Sequence, residues 1–74
     1  MVLWRLEGAV SVMTCSVEYI DDGARLTIRR GPFVEIQEVH PTSERACLAA
    51  ATMRRELVAM GFRPLLPPLS QPAV

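Results

Sequence analysis

The sequence predicts an α+β fold of two layers: a three-stranded antiparallel meander, with or without a fourth N-terminal strand, covered on one face by a single C-terminal helix. Three observations support this fold class. Apolar and polar residues alternate between residues 13 and 39, as in strands with one buried face. The turn sequences Asp21-Asp22-Gly23 and Gly31-Pro32 divide that stretch into three. A helical pattern then runs from Thr42 to Met60.

The first two strands of the meander, residues 13–19 and 24–30, are predicted to form a hairpin. Asp22-Gly23 suits a tight turn because both residue types tolerate a positive φ. An even number of loop residues sets apolar residues opposite each other, whereas a three-residue loop does not. The expected register therefore pairs Tyr19 with Leu26 and Val17 with Ile28.

The third strand, residues 33–39, supplies Val34 and Ile36 to the same apolar face. Pairing Ile28 with Val34, and Leu26 with Ile36, requires an odd number of loop residues. We therefore expect a connection of three or five residues centred on Gly31.

The helix has clear sequence signals at both ends. Thr42 or Ser43 is placed to cap its start, Gly61 ends it, and Phe62 is expected to fold back on the last turn. Its buried stripe contains small residues, which lets it approach the sheet closely. The predicted core consists of Cys15, Val17, Tyr19, Leu26, Ile28, Val34, Ile36, Ala46, Ala50, Met53 and Leu57.

The length of 74 residues predicts one small domain, over residues 1–62. Residues 1–12 are expected to be either an arm or an extra strand. Residues 63–74 hold four of the six prolines and are predicted to be an extended or disordered tail. A chain this short buries only about 60% of its unfolded surface, so its core is marginal.

Composition argues against several classes of function. Eight arginines balance eight acidic residues, and a net charge of zero disfavours nonspecific binding to nucleic acid or to anionic membranes. No apolar run approaches the roughly 20 residues of a membrane span, and the start of the chain does not resemble a secretory signal. Two cysteines without a disulfide pattern predict a reducing, cytoplasmic setting.

The nucleophiles and metal-ligand types in the sequence do not form a recognisable site. Cys47 lies nearly two helical turns beyond His40, and no third group is placed to orient the imidazole. Cys15, His40 and Cys47 lack the paired short spacings of structural zinc sites. The sequence therefore predicts a non-enzymatic protein with no catalytic, cofactor-binding or metal-binding residues.

The strand-strand-strand-helix order resembles the C-terminal part of a double-stranded RNA-binding domain over roughly residues 15–60. The helix carries the likeness, with Glu44-Arg45-Ala46 followed by Ala49-Ala50-Ala51 and Leu57. That family contacts phosphate through lysines at the start of its last helix, where this chain has Ser43, Glu44 and Arg45. The resemblance therefore implies a similar arrangement of layers and not RNA binding.

Several apolar residues have no predicted place in the core, and a contiguous set of such residues marks an interface. The candidate interface residues are Leu3, Trp4, Leu6, Val10, Val12 and Leu48. We expect a protein that works by association with other proteins, first as a homodimer formed through the N-terminal segment or a sheet edge. On this hypothesis, Trp4→Ala weakens dimerisation more than it weakens the fold.

The alternative function is nucleic-acid binding by the open face of the sheet. Arg25 and Arg29 are predicted to share that face, with Phe33 as the aromatic group beside them. Glu18 and Glu35 are expected among these arginines, which favours an ordinary solvated face instead.

Overall fold

The computed structural model describes residues 1–65 and shows a five-stranded antiparallel meander with one helix packed on it, in two layers. The elements are β1 (Val2–Glu7), β2 (Val12–Ile20), β3 (Gly23–Arg30), β4 (Phe33–His40), α1 (Ser43–Ala59) and β5 (Arg63–Pro64). The strand order across the sheet is β4-β3-β2-β1-β5. The predicted fold class is confirmed, and the optional N-terminal strand is β1.

The loop of the β2–β3 hairpin has two residues, an even number as predicted. The predicted residue pairs are wrong, because each β2 residue lies opposite a β3 residue two positions earlier than predicted. The loop is Asp21-Asp22, so Val17 lies opposite Leu26. Gly23 belongs to β3 with a φ of 142°, and a Cβ there would overlap the carbonyl oxygen of His40. Both the positive φ and the close approach of β4 therefore require a glycine at this position. Tyr19 consequently lies near the end of the hairpin and is 70% exposed, outside the core in which it was predicted.

The β3–β4 connection also differs from the prediction. Its loop is the two residues Gly31-Pro32, and a bulge leaves Glu35 without a residue opposite it. The bulge sets Ile36 opposite Ile28, which restores the apolar pairing that an odd loop was expected to provide. Val34 lies opposite Arg29 instead, and it is exposed rather than part of the core.

The core lies between α1 and the strands β1, β2 and β3. Its buried apolar residues are Trp4, Leu6, Met13, Cys15, Val17, Ala24, Leu26, Ile28, Ala46 and Ala50. Six of the predicted core residues are confirmed as buried; Met53 and Leu57 are partly buried against them, and Ile36 is 40% exposed. The core also includes Trp4 and Leu6 of β1, which the predicted core omits. The indole Nε1 of Trp4 donates to the carbonyl oxygen of Ala50 at 2.9 Å.

Both helix ends form as their sequence signals predict. The Oγ1 of Thr42 accepts the backbone N–H of Arg45 at 3.1 Å. At the other end, Gly61 has a φ of 108°. The N–H of Phe62 donates to the carbonyl of Leu57 at 3.1 Å, closing a Schellman motif. Phe62 thereby packs against the core.

Residues 63–64, the first two residues of the predicted extended or disordered tail, pair with β1 as strand β5. Arg63 lies opposite Glu7 and Pro64 opposite Leu6. A proline is tolerated there because β5 is an edge strand. The rest of the predicted proline-rich tail, from residue 66 to residue 74, lies outside the described residues.

Candidate association interface

The two edges of the sheet differ in how far they are covered. At the β1 edge, β5 pairs with Leu6 and Glu7, and the N–H of Leu65 donates to the carbonyl of Arg5 at 3.0 Å. At the opposite edge, β4 has no strand beside it among residues 1–65. A long open edge strand presents unpaired N–H and C=O groups to which another strand can bind.

The side chains of β4 are unusually apolar for an exposed strand. Phe33, Val34, Ile36 and Val39 are each at least 40% exposed, and none of the eight residues of β4 is buried. We call these four residues the β4 surface. Single exposed apolar residues are normal, but a group of them along one open edge is typical of an interface.

A groove beside β4 extends this apolar surface towards the helix. The groove encloses about 330 Å³, and its apolar lining residues are Met13, Ile28, Ile36, Met53, Leu57 and Met60. The buried helix residues, Ala46 and Ala50, pack in core clusters with residues of β1, β2 and β3, and the residues of β4 lie outside those clusters. Three of the lining residues are methionines, whose flexible side chains adapt to different contacting surfaces. We call this feature the α1–β4 groove.

Each of the two carboxylates of β4 has a partner in its own chain. Arg30 Nε donates to Glu35 Oε1 at 3.1 Å, and His40 Nε2 lies 2.9 Å from Glu38 Oε1. Exposed pairs of this kind stabilise the fold by only about 0–1 kcal/mol each. Because the attraction within each pair is this weak, the two carboxylates of β4 still repel a negative charge on an approaching strand.

The six interface residues predicted from the sequence do not form one surface. Trp4 and Leu6 are buried in the core of the single chain, so the expectation that they contact a partner is corrected. Leu3 packs partly buried against the core, and Val12 is half-buried in β2 opposite Glu7. The remaining two are exposed: Val10 lies between β1 and β2, and Leu48 lies on α1.

The residues predicted for nucleic-acid contact are only partly brought together. Arg25 and Arg29 share the outer face of the sheet, but Arg25 donates to Glu18. Phe33 lies opposite Arg30, which places it on the other face. Sequence reasoning missed Arg5, because only the pairing of β1 with β2 shows that Arg5 and Arg29 flank Thr14 on the outer face.

The two cysteines differ in their surroundings. Cys15 is fully buried beneath α1, and Cys47 is exposed on the helix. Burial, with a smaller effect from the nearby Cys47, raises the pKa of the Cys15 thiol to about 11. Because the thiolate is the nucleophilic form, Cys15 is a packed core residue and a poor nucleophile.

This raised pKa predicts that the protein loses stability in alkaline solution. An unfolded Cys15 thiol releases its proton near pH 9, whereas the folded one keeps it until about pH 11. Rising pH across that window therefore favours the unfolded chain, by up to about 3 kcal/mol. Urea unfolding followed by circular dichroism should show this loss in the wild type and in Cys47→Ala, but not in Cys15→Ala. An equal loss in all three would contradict the assignment.

The residues weighed as metal ligands or catalytic groups remain apart. The ring of His40 contacts Glu38, while Cys15 lies within the core. Within residues 1–65, no group of three or more His, Cys, Asp or Glu side chains is arranged to hold a metal ion. The site with the most distinctive geometry is therefore the β4 surface with its adjoining groove.

Comparison with family models, with curated proteins and with solved structures gives no match for this chain. In the part of the chain that the structure describes, α1 lacks the length and apolarity needed to cross a bilayer.

Proposed function

We propose that this protein is a non-enzymatic association module that binds a second copy of itself through the β4 surface and the α1–β4 groove. The observation that carries the proposal is the open β4 edge, which has four exposed apolar residues, one of which, Ile36, also lines the apolar groove. A small domain with a marginal core gains stability when such surface is buried against a partner.

Two further features support self-association at this edge. The formal net charge of zero means that two copies do not repel each other strongly. At the β1 edge, β5 pairs with Leu6 and Glu7 and so covers part of that strand, whereas β4 has no strand beside it within residues 1–65. A different protein that adds a strand to the same edge is the other occupant that this geometry accommodates. A reducing, cytoplasmic location is part of the proposal, since it fits two free cysteines.

Val39→Glu is expected to raise the Kd of the dimer at least tenfold, which corresponds to about 1.4 kcal/mol. The substitution adds a negative charge to each copy on an edge strand that already carries Glu35 and Glu38. The monomer should remain folded, because Val39 is 59% exposed and lies opposite Arg25. Sedimentation equilibrium of wild type and variant over a range of concentrations measures the change.

The matched control is Leu48→Glu, which places the same charge at an exposed apolar residue of α1. This variant should dimerise like the wild type. If Leu48→Glu dissociates the dimer and Val39→Glu does not, the interface lies on the helix and the assignment to β4 is wrong.

Nucleic-acid binding is the second candidate function, and one observation favours it. Arg5 and Arg29 flank Thr14 on the outer face, and neither forms an ion pair with a carboxylate among residues 1–65. Two such arginines suit a phosphate backbone. A gel shift that weakens as salt rises, and that persists in Val39→Glu, would support this function over self-association.

A further inference from the structure

We infer that β4 pairs antiparallel with β4 of a second copy about a two-fold axis at Gln37, so that two sheets join into one continuous sheet. The inference rests on the proposed self-association and specifies its register.

The direction of the backbone groups follows from the hydrogen bonds on the far side of the sheet. The N–H of Val17 donates to the carbonyl of Met1 at 2.8 Å, on the β1 side of β2. In antiparallel strands, successive residues bond to opposite neighbours. Leu26, which lies opposite Val17, therefore bonds away from β2 and towards β4. The N–H of Gly31, which donates to a β2 carbonyl at 2.9 Å, agrees with this alternation along β3.

The same alternation identifies which residues of β4 face the open edge. Leu26 lies opposite Glu38, so the backbone groups of Glu38 bond to β3. Gln37 and Val39, on either side of Glu38, direct their N–H and C=O groups outward. Glu35, which precedes Gln37 by two residues, also directs its N–H and C=O groups outward. No residue of β3 lies opposite it. Besides Val34, which lies opposite Arg29 at the bulge, an incoming strand therefore meets three outward-facing residues, at positions 35, 37 and 39.

A two-fold axis at Gln37 is the register that uses all three of these residues. It sets Gln37 opposite its own copy, and it sets Val39 opposite Glu35 of the second copy. On the inner face it sets Ile36 opposite Glu38 of the second copy. No like charges lie opposite each other in this arrangement, and each outward-facing amide has a carbonyl to bind.

The neighbouring axes that keep the faces aligned lie at Ile36 and at Glu38. An axis at Ile36 sets Val39 opposite Phe33, whose backbone groups bond to β3 and not outward. An axis at Glu38 has two other problems. It sets the two Glu38 carboxylates directly opposite each other, which is destabilising. It also sets Glu35 opposite Pro41, which has no N–H to donate. The axis at Gln37 avoids all of these problems.

This pairing also brings the two apolar grooves together. Cross-strand neighbours keep their side chains on the same face of a sheet, so α1 of each copy lies on the same side. The α1–β4 groove of one copy then adjoins that of the other across the paired β4 strands. Ile36, which a single chain leaves 40% exposed, lies near this junction.

A cysteine at the axis tests this register. Gln37→Cys, made together with Cys47→Ser, should form a disulfide-linked dimer on mild oxidation. The Cα atoms of a hydrogen-bonded antiparallel pair lie about 5.5 Å apart, within the range of about 4.4–6.8 Å that a disulfide spans. Cys15 can remain because it is fully buried.

The matched control is Val39→Cys in the same background. Its two copies would lie four residue steps apart along the strands, roughly 13 Å, which is too far for a disulfide. Mixing Glu35→Cys with Val39→Cys should link them as a heterodimer. If sedimentation shows a dimer, but Val39→Cys forms a disulfide with its own copy and Gln37→Cys does not, the register is wrong. The proposed self-association would still stand. A monomer at all concentrations overturns both.

Discussion

Trp4→Ala is expected to lower the free energy of unfolding by about 3–5 kcal/mol. Trp4 is only 9% exposed and packs in the core with Leu6, Cys15 and Ala50. Its indole N–H also binds the carbonyl of Ala50 at 2.9 Å, which ties β1 to α1. Since a domain of this size has a total stability of roughly 4–11 kcal/mol, the variant should be largely unfolded or close to it.

Trp4→Phe separates the two contributions of this side chain. It keeps most of the aromatic contact but removes the N–H, so the expected loss is about 1–2 kcal/mol. Urea unfolding by circular dichroism, at a concentration low enough to keep the protein monomeric, measures both variants. An unfolding midpoint of Trp4→Ala equal to that of the wild type, with weakened dimerisation, would restore the interface role expected from the sequence.

Gly23→Ala is expected to lower the free energy of unfolding by about 3 kcal/mol or more. Two effects add at this position. The φ of 142° is a conformation that residues with a Cβ rarely adopt, and its strain costs about 1–3 kcal/mol. The added methyl group would also overlap the backbone carbonyl of His40, which cannot move without displacing β4 from β3.

Gly31→Ala is the matched control for the steric effect. Gly31 also has a positive φ, of 57°, but a Cβ there would meet no atom within 4 Å. It should therefore lose only about 1–2 kcal/mol. Urea unfolding of the two variants checks the comparison, and equal losses would show that the contact with His40 is unimportant.

The parts of the fold that sequence reasoning predicts well are those with local causes. The cap at Thr42 and the glycine motif at Gly61 depend on neighbouring residues, and both helix ends form as predicted. The two strand registers were predicted less well because they depend on distant contacts. Gly23 has the appearance of a turn glycine, yet the close approach of β4 also requires it, and the bulge at Glu35 has no local signature.

For the candidate site, the sequence predicts an interface at the N-terminal segment or at a sheet edge, and it does not indicate which edge. The apolar pattern of β1 does not distinguish a core strand from an interface strand. The sequence therefore does not show that Trp4 and Leu6 are buried in the core of the single chain. The buried residues of α1, Ala46 and Ala50, belong to core clusters with β1, β2 and β3, and the residues of β4 lie outside those clusters. Such a relation between layers is visible only after the chain has folded.

Amide hydrogen exchange along β4, measured as protein concentration rises, tests the pairing of this edge most directly. The N–H of Glu38 bonds within the sheet and should be protected at every concentration, whereas the N–H groups of Gln37 and Val39 should become protected only as the dimer forms. Rapid exchange at Gln37 and Val39 at all concentrations would contradict the account, because it would show that the edge of the sheet stays open to water.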